Sequence, residues 1–175
     1  MRGDEPTLET QRLIPRMREL FPECEIIHAI RHGNSVIGSN LAKGWYADEW
    51  LQGSVIDYVV GHINCKIPWY IPERIRDYWV KSNIHTRIAF VWAYLVRQAL
   101  KYDDLFPVRY EDVISKPDEA IRSISEQFGL TPTGLTDAHR ASIQRHPESA
   151  YPDFKPEIER ICCSYYEKTL NMLYG

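Results

Sequence analysis

The chain has 175 residues, of which 44% are hydrophobic and 26% charged, the composition of an ordinary globular protein. This length suits one domain with a substantial hydrophobic core. The formal net charge of −3 argues against a general nucleic-acid-binding protein, which is usually basic. The 4 cysteines form no C-x2-C pair, so neither a zinc site nor a disulfide framework is indicated.

The pattern of the first residues is not that of a secretory signal peptide, because residues 1–5 are charged and no apolar region follows them. No apolar run approaches the roughly 18 residues that suggest a membrane-spanning helix. From these two features we expect a cytoplasmic protein with no membrane segment, and the cysteine pattern favours reduced thiols. Cys24 and Cys162 are expected in the core, where free cysteines usually lie.

The spacing of apolar residues predicts alternating helices and strands along the chain. Helices are expected at 8–20, 34–42, 73–80, 85–101, 117–128, 136–144 and 156–173, and strands at 24–30 and 105–110. Strands separated by helices favour an α/β fold, with a parallel sheet flanked by helices. The strand at 24–30 is expected to be buried on both faces, as is typical of parallel sheets.

Several of these elements carry more detailed expectations. The helix at 85–101 is apolar almost all round and should be central. Pro117 should begin its helix and Gly129 should end it. The aromatic stretch 43–72 has no clear periodicity, and a short helix near 47–60 is our interpretation. Its rings could shape an acceptor pocket or pack on the sheet. In the last helix, the residues expected to face inward are Ile158, Ile161, Tyr165 and Met172.

A candidate anion site follows the first strand. Arg31 lies at its carboxyl end, where ligands bind in open α/β sheets. The next helix should be capped by Asn34 or Ser35, and its first amides would attract an anion. An arginine fork suits a phosphate, and the Ser39 hydroxyl could add a donor. The Arg-x7-Ser spacing is common by chance, so solvated surface residues explain it as well.

Several ordered motifs give the chain a resemblance to a known family. They comprise Phe21-Pro22 with Ile26-Ile27-His28-Ala29-Ile30-Arg31 and Ser39, then Trp92 in an A-x-x-W-like helix, then FPVRYEDVISKPDEAIRSISEQFGL at 106–130, and finally LNMLYG at 170–175. Their order and spacing resemble sulfotransferases that use 3′-phosphoadenosine 5′-phosphosulfate (PAPS) as co-substrate. The resemblance implies a P-loop-NTPase-like sulfotransferase fold, with Arg31 and Ser39 on the 3′-phosphate and Tyr110 against the adenine end.

The chain also departs from the family pattern. The phosphate loop, a segment like P-K-[SG]-G-T-[ST], has no counterpart, and Gly3-Asp4-Glu5-Pro6-Thr7 is similar to a later family segment. We therefore interpret residues 1–175 as a single, partial sulfotransferase domain, incomplete at its N-terminus or divergent there. No histidine precedes His28, so no general base and no other catalytic residue is assigned. Glu111 and Asp112 should face opposite sides of a strand and so form no acid–base pair.

The resemblance implies transfer of a sulfuryl group from PAPS to a hydroxyl or amine. The acceptor is a small molecule, carbohydrate, lipid or protein, and no metal or nucleic acid is implied. We expect this chain alone to be inactive and, through exposed strand edges, to self-associate. The alternative is a non-catalytic nucleotide-binding or scaffold domain of the same fold. A P-loop kinase relative is a weaker third option, because no G-x4-G-K-[ST] is present.

Overall fold

The computed structural model describes residues 10–47, 55–60, 63–132, 134–144 and 156–175. Within these ranges the protein is mixed α/β and mostly helical, with a small parallel sheet of two strands. The elements in chain order are α1 (Thr10–Leu20), β1 (Ile26–Ile30), α2 (Gly33–Ala42), β2 (Val55–Val60), β3 (Ile63–Pro68), α3 (Arg76–Lys81), α4 (Ile84–Ala99), β4 (Leu105–Arg109), α5 (Tyr110–Ser115), α6 (Pro117–Gln127), α7 (Asp137–Gln144) and α8 (Arg160–Tyr174).

The chain divides into two compact units. The first unit comprises residues 1–31 and 94–147, and the second comprises residues 32–93 and 148–175. The parallel sheet belongs to the first unit, whereas an antiparallel hairpin, α2 and α8 belong to the second.

The parallel sheet of the first unit joins β1 to β4. Ile26 lies opposite Leu105, and Ile30 lies opposite Arg109. The predicted parallel pairing of these two strands is confirmed. Because the strands run in the same direction, their carboxyl ends meet at one edge of the sheet.

The expected burial of the first strand on both faces is wrong. Ile30 is 2% exposed, but Ile27 on the other face is 46% exposed. Successive side chains of a strand point to opposite faces, and in the described part of the chain only the Ile30 face is well covered. The run of apolar residues concealed this alternation, since Ile27 and Ala29 are apolar on an exposed face.

The ends of α6 are formed as the sequence predicts. Pro117 occupies the first turn, where its missing N–H costs no hydrogen bond, and Asp118 and Glu119 lie at the positive end of the helix dipole. Gly129 follows the last turn with a φ of +62°, the left-handed conformation that favours glycine. After the helix, Phe128 packs edge-on against Phe106 of β4, with 5.6 Å between ring centres.

The long helix α4 is the most buried helix segment, as its composition predicts. Its buried side chains are Thr86, Ile88, Ala89, Val91, Trp92, Ala93, Leu95, Val96 and Ala99. The other residues of α4 are half-buried, and none is fully exposed, as expected for a central helix. Pro72 precedes a short 3₁₀ turn at Glu73–Ile75, and α3 follows directly, confirming a helix in this region.

The second unit contains a hairpin that we did not predict. Strands β2 and β3 pair in antiparallel fashion, with Val55 opposite Pro68 and Val60 opposite Ile63. The short helix expected near 47–60 is therefore wrong over residues 55–60, and residues 48–54 lie outside the described ranges. The β-branched residues of β2 favour a strand, but the surrounding aromatic residues obscured their alternation.

The last helix begins later than predicted and buries a different face. It starts at Arg160, and its buried residues are Cys162, Tyr166 and Thr169, whereas Ile161 is 71% exposed and Met172 58% exposed. Backbone N–H groups of residues 157 and 159 donate to His85 Nδ1 and Thr86 Oγ1 at the start of α4. These bonds tie the segment before the helix to α4, and Glu159, the residue that precedes the helix, has extended backbone angles.

Of the two cysteines expected in the core, one is buried. Cys162 in α8 is buried as expected, whereas Cys24, which precedes β1, is only partly buried. The hydroxyl of buried Thr169 donates to the Tyr165 carbonyl at 2.8 Å, so this polar group has a partner inside the unit.

Among the described residues, no helix combines the length and apolar character needed to cross a membrane.

Candidate functional site

Arg31 and Tyr110 lie beside each other at the carboxyl edge of the parallel sheet. Each residue directly follows its strand, and Ile30 and Arg109, the last residues of β1 and β4, are register partners. The guanidinium carbon of Arg31 lies 5.2 Å from the centre of the Tyr110 ring, within the range of a cation–π interaction. Both side chains are half-buried. The structure thus joins two of the three predicted site residues.

Tyr110 differs from its predicted position in one respect. It is the first residue of α5 and not the last residue of the second strand. Arg109 takes extended dihedral angles and acts as the helix N-cap, so the strand ends one residue earlier. Tyr110 therefore lies where the strand passes into α5, at the carboxyl edge of the parallel sheet.

The acidic residues after Tyr110 differ from their predicted placement. Glu111 and Asp112 lie on α5 and not on a strand, so the expectation that they face opposite sides of a strand is wrong. The Asp112 carboxylate accepts hydrogen bonds from Arg109 Nε at 2.8 Å and Nη2 at 3.1 Å. This is a bidentate pair, but both partners are nearly half-exposed, so it contributes little to stability. It does hold the Asp112 carboxylate against the guanidinium of Arg109, the residue that precedes Tyr110 in the chain.

The first turn of α2 directly follows Arg31 in the chain and belongs to the second unit. His32 caps this helix, because its Nδ1 accepts a hydrogen bond from the Asn34 backbone N–H at 3.2 Å. The expectation that Asn34 or Ser35 forms the cap is wrong. The backbone of His32 leaves the helical region, and an unprotonated imidazole nitrogen then serves as the acceptor that Ser or Asn usually provides.

Two tyrosines of α8 pack against this turn. The Tyr166 hydroxyl donates to Asn34 Oδ1 at 2.6 Å. The Tyr166 ring also covers Gly33 so closely that a Cβ there would lie 2.5 Å from the hydroxyl oxygen. The Tyr174 ring contacts His32 edge-on at 4.9 Å. Sequence reasoning missed both tyrosines, and the two adjacent residues Tyr165 and Tyr166 offered no sign of which one faces inward.

Ser39 lies on α2 and is half-buried. It belongs to the second unit, whereas Arg31 and Tyr110 belong to the first. A common surface for Arg31 and Ser39 therefore stays a prediction. The backbone carbonyl of Ser39 accepts a hydrogen bond from the Lys43 N–H at 3.2 Å, as part of the end of the helix.

Other candidate residues take structural roles. Burial lowers the pKa of His28, which is half-buried in β1, so its imidazole is kept neutral. Arg140 forms an ion pair with Asp118 at 2.8 Å on the surface, in keeping with ordinary surface charge. The two basic residues after this helix, Arg145 and His146, lie outside the described ranges.

The aromatic segment after α2 contributes to the core of the second unit. Tyr46 is 2% exposed and Tyr70 5% exposed, and their hydroxyl oxygens are 3.0 Å apart. Arg87 donates to the carbonyls of Trp79 and Val80, and its guanidinium carbon lies 5.2 Å from the Trp79 ring centre. For these rings, packing is the better interpretation. The side chains of Trp50 and Tyr58 lie outside what the structure describes.

Comparison of the chain with protein-family models, with curated proteins and with solved structures finds no significant match in any of the three. Within the described ranges, no group of three or more His, Cys, Asp or Glu side chains is arranged to hold a metal ion.

Proposed function

We propose that this chain is part of a PAPS-dependent sulfotransferase with the P-loop-NTPase-like fold of that family. Arg31 and Ser39 would bind the 3′-phosphate of the co-substrate, and Tyr110 would border its adenine. One observation carries the proposal. The parallel register of β1 and β4 brings together Arg31 and Tyr110, from two distant motifs, with 5.2 Å between the guanidinium carbon and the ring centre. A guanidinium suits a phosphate, and an aromatic ring suits a nucleobase.

The proposed reaction moves a sulfuryl group from PAPS to a hydroxyl or amine of an acceptor. A bond forms between sulfur and the acceptor oxygen or nitrogen as the S–O bond to the 5′-phosphate breaks, and the acceptor proton passes to a base. As in phosphoryl transfer, in-line geometry and neutralisation of charge supply most of the catalysis. In this scheme Arg31 does not touch the transferring group. It anchors the far end of the nucleotide and so fixes the position of the sulfuryl group.

A non-catalytic nucleotide-binding or scaffold domain is the second candidate. It is favoured by the sequence of residues 1–20, which holds no P-K-x-G-T-[ST] segment for the 5′-phosphosulfate. A chain that kept Arg31 and Tyr110 without that segment would keep contacts to the bound nucleotide but lose contacts to the transition state. The two candidates therefore agree on binding and differ on turnover.

The test is a transfer assay with radiolabelled PAPS and a panel of hydroxyl and amine acceptors. It uses this chain and a version extended by the upstream coding sequence, where a P-K-x-G-T-[ST] segment in frame would be sought. We expect the extended protein to label an acceptor, and its Arg31→Ala variant to lose most of that activity. Arg16→Ala, which removes an exposed arginine of α1, is the matched control.

Three outcomes separate the candidates. Labelling by the extended protein supports the sulfotransferase. Binding of the nucleotide by the extended protein without any labelling supports the non-catalytic domain. Failure of both proteins to bind PAPS removes both proposals.

A further inference from the structure

The contact between α8 and the first turn of α2 is closer than ordinary packing. Tyr166 lies 3% exposed within the second unit and is 132 residues from Asn34 in the chain, yet their side chains form a hydrogen bond of 2.6 Å. The ring of Trp92 packs against Tyr166, with 5.3 Å between centres. The ring is thus held by α4 on one side while its hydroxyl engages the turn.

Glycine at position 33 is required by this contact. A Cβ built on Gly33 would lie 2.5 Å from the Tyr166 hydroxyl oxygen, 2.7 Å from Cε2 and 2.9 Å from Cζ. Real Cβ atoms do not approach other atoms so closely, so any other residue would push the ring or the turn aside. The backbone of Gly33 itself is an ordinary helical one, because it has no positive φ. The need for glycine therefore comes from close approach and not from backbone conformation.

The Tyr166 hydroxyl stays protonated and so remains a hydrogen-bond donor to Asn34. Burial raises the pKa of Tyr166 well above its usual value. The phenol therefore keeps its proton throughout the physiological range, and the Asn34 amide oxygen always has a partner. A single buried hydrogen bond of this kind fixes the Asn34 side chain and, through it, the turn.

We propose that Tyr166 is a positioning residue that fixes the first turn of α2, and with it the helix that carries Ser39, for binding of the 3′-phosphate. This inference rests on the proposed function. Tyr166 itself touches no part of the nucleotide. It acts through Gly33 and Asn34, on the segment that follows Arg31 directly in the chain. The role is specific to phosphate binding, because the adenine contact is assigned to Tyr110 on a different element.

The test combines hydrogen exchange with nucleotide affinity in the Tyr166→Phe variant. This change removes the hydroxyl and leaves the ring against Gly33. Tyr165→Phe is the matched control, since it removes a hydroxyl from the neighbouring ring, which stacks on Phe90. The ligands are 3′-phosphoadenosine 5′-phosphate and AMP, which lacks the 3′-phosphate. Amides of 84–99 serve as an internal reference for global stability.

We expect faster exchange at residues 33–37 in Tyr166→Phe, with the reference amides unchanged. Affinity for 3′-phosphoadenosine 5′-phosphate should fall by about 3- to 10-fold, the value of one hydrogen bond, while affinity for AMP should not change. Gly33→Ala should give the same pattern more strongly. Asn34→Asp keeps an acceptor oxygen for the Tyr166 hydroxyl and should preserve slow exchange at 33–37, and it is used for exchange alone because its negative charge would repel a phosphate. Asn34→Leu should reproduce Tyr166→Phe in both exchange and affinity.

The outcomes distinguish failure of the positioning role of Tyr166 from failure of the proposed sulfotransferase function. Unchanged exchange at 33–37 in both Tyr166→Phe and Gly33→Ala overturns the positioning role. Faster exchange with an unchanged preference for the 3′-phosphate also overturns it, and leaves the proposed function intact if Arg31→Ala still lowers that preference. Absence of any 3′-phosphate preference in the unaltered protein removes the proposed function, and the positioning role falls with it.

Discussion

The Arg31 guanidinium lies against the Tyr110 ring, with 5.2 Å between the guanidinium carbon and the ring centre. The two residues are far apart in the chain and meet because β1 and β4 are parallel neighbours that end at the same edge. A cation–π interaction at a partly exposed site is worth about 0.5–1 kcal/mol. The contact therefore orients the arginine more than it stabilises the fold.

Replacing the aromatic ring of Tyr110 should remove its cation–π interaction with Arg31. We expect Tyr110→Leu to lower the free energy of unfolding by about 0.5–1 kcal/mol, because the cation loses its aromatic face. Tyr110→Phe keeps that face and should change stability much less. Chemical denaturation of both variants measures the difference. Equal losses for Leu and Phe would show that the hydroxyl and not the ring matters.

The turn after α6 gives a test of backbone conformation alone. Gly129 has a φ of +62°, and a Cβ there would meet no atom within 4 Å. Gly129→Ala should therefore lower the free energy of unfolding by about 1–2 kcal/mol, the cost of the left-handed conformation for an L-residue. Gly129→Asn should cost less, since asparagine tolerates this region. A neutral Ala variant, measured by denaturation, would contradict the assigned end of the helix.

Glu159 should be important for joining the start of α8 to α4. Its carboxylate accepts hydrogen bonds from the Asn83 backbone N–H at 2.7 Å and from the Tyr78 hydroxyl at 3.3 Å. We expect Glu159→Ala to lower the free energy of unfolding by about 1–2 kcal/mol, because an N–H at the start of α4 loses a charged partner.

Glu157→Ala is the control for this experiment. Glu157 binds α4 through its backbone N–H and carbonyl, which the substitution leaves in place. Thermal or denaturant unfolding of the two variants gives the comparison. If Glu157→Ala is as destabilising as Glu159→Ala, the assigned role of the Glu159 carboxylate is wrong.

The pH dependence of stability should carry a contribution from His28. Burial lowers the pKa of His28 in the folded protein, so the unfolded chain binds a proton more readily. This contribution to stability is complete above the unfolded pKa of about 6.5 and is lost as the pH falls below it. Denaturant midpoints at pH 7.5 and pH 5 should therefore differ less in His28→Gln than in the unaltered protein. His139→Gln, at an exposed position on α7, should leave the difference unchanged.

Features that depend on neighbouring residues were the ones the sequence could predict. The positions of β1 and β4 could be predicted from their apolar runs, the buried α4 from its continuous apolar composition, and the ends of α6 from Pro117 and Gly129. Each of these signals acts within a few residues of the structure that it specifies.

Features that depend on distant packing could not be predicted. The His32 cap competes with Asn34 and Ser35, and the choice is made by a backbone geometry that the sequence does not reveal. The inward face of α8 is set by Tyr166 against Gly33, so exposed Ile161 could not be recognised from periodicity. In the candidate site, the meeting of Arg31 and Tyr110 could be predicted once the strands were taken as parallel, but the role of Tyr166 could not.

The central claim is that Arg31 binds the 3′-phosphate of an adenine nucleotide, and calorimetry of nucleotide binding tests it most directly. The ligands are 3′-phosphoadenosine 5′-phosphate and AMP, and the proteins are the unaltered chain, Arg31→Ala and the Arg16→Ala control. We predict that Arg31→Ala weakens binding of the 3′-phosphorylated nucleotide by about 1.5–3 kcal/mol, the range for a charged hydrogen bond, and leaves AMP binding and the control unchanged. Equal affinity of the unaltered chain and Arg31→Ala for 3′-phosphoadenosine 5′-phosphate would contradict the claim.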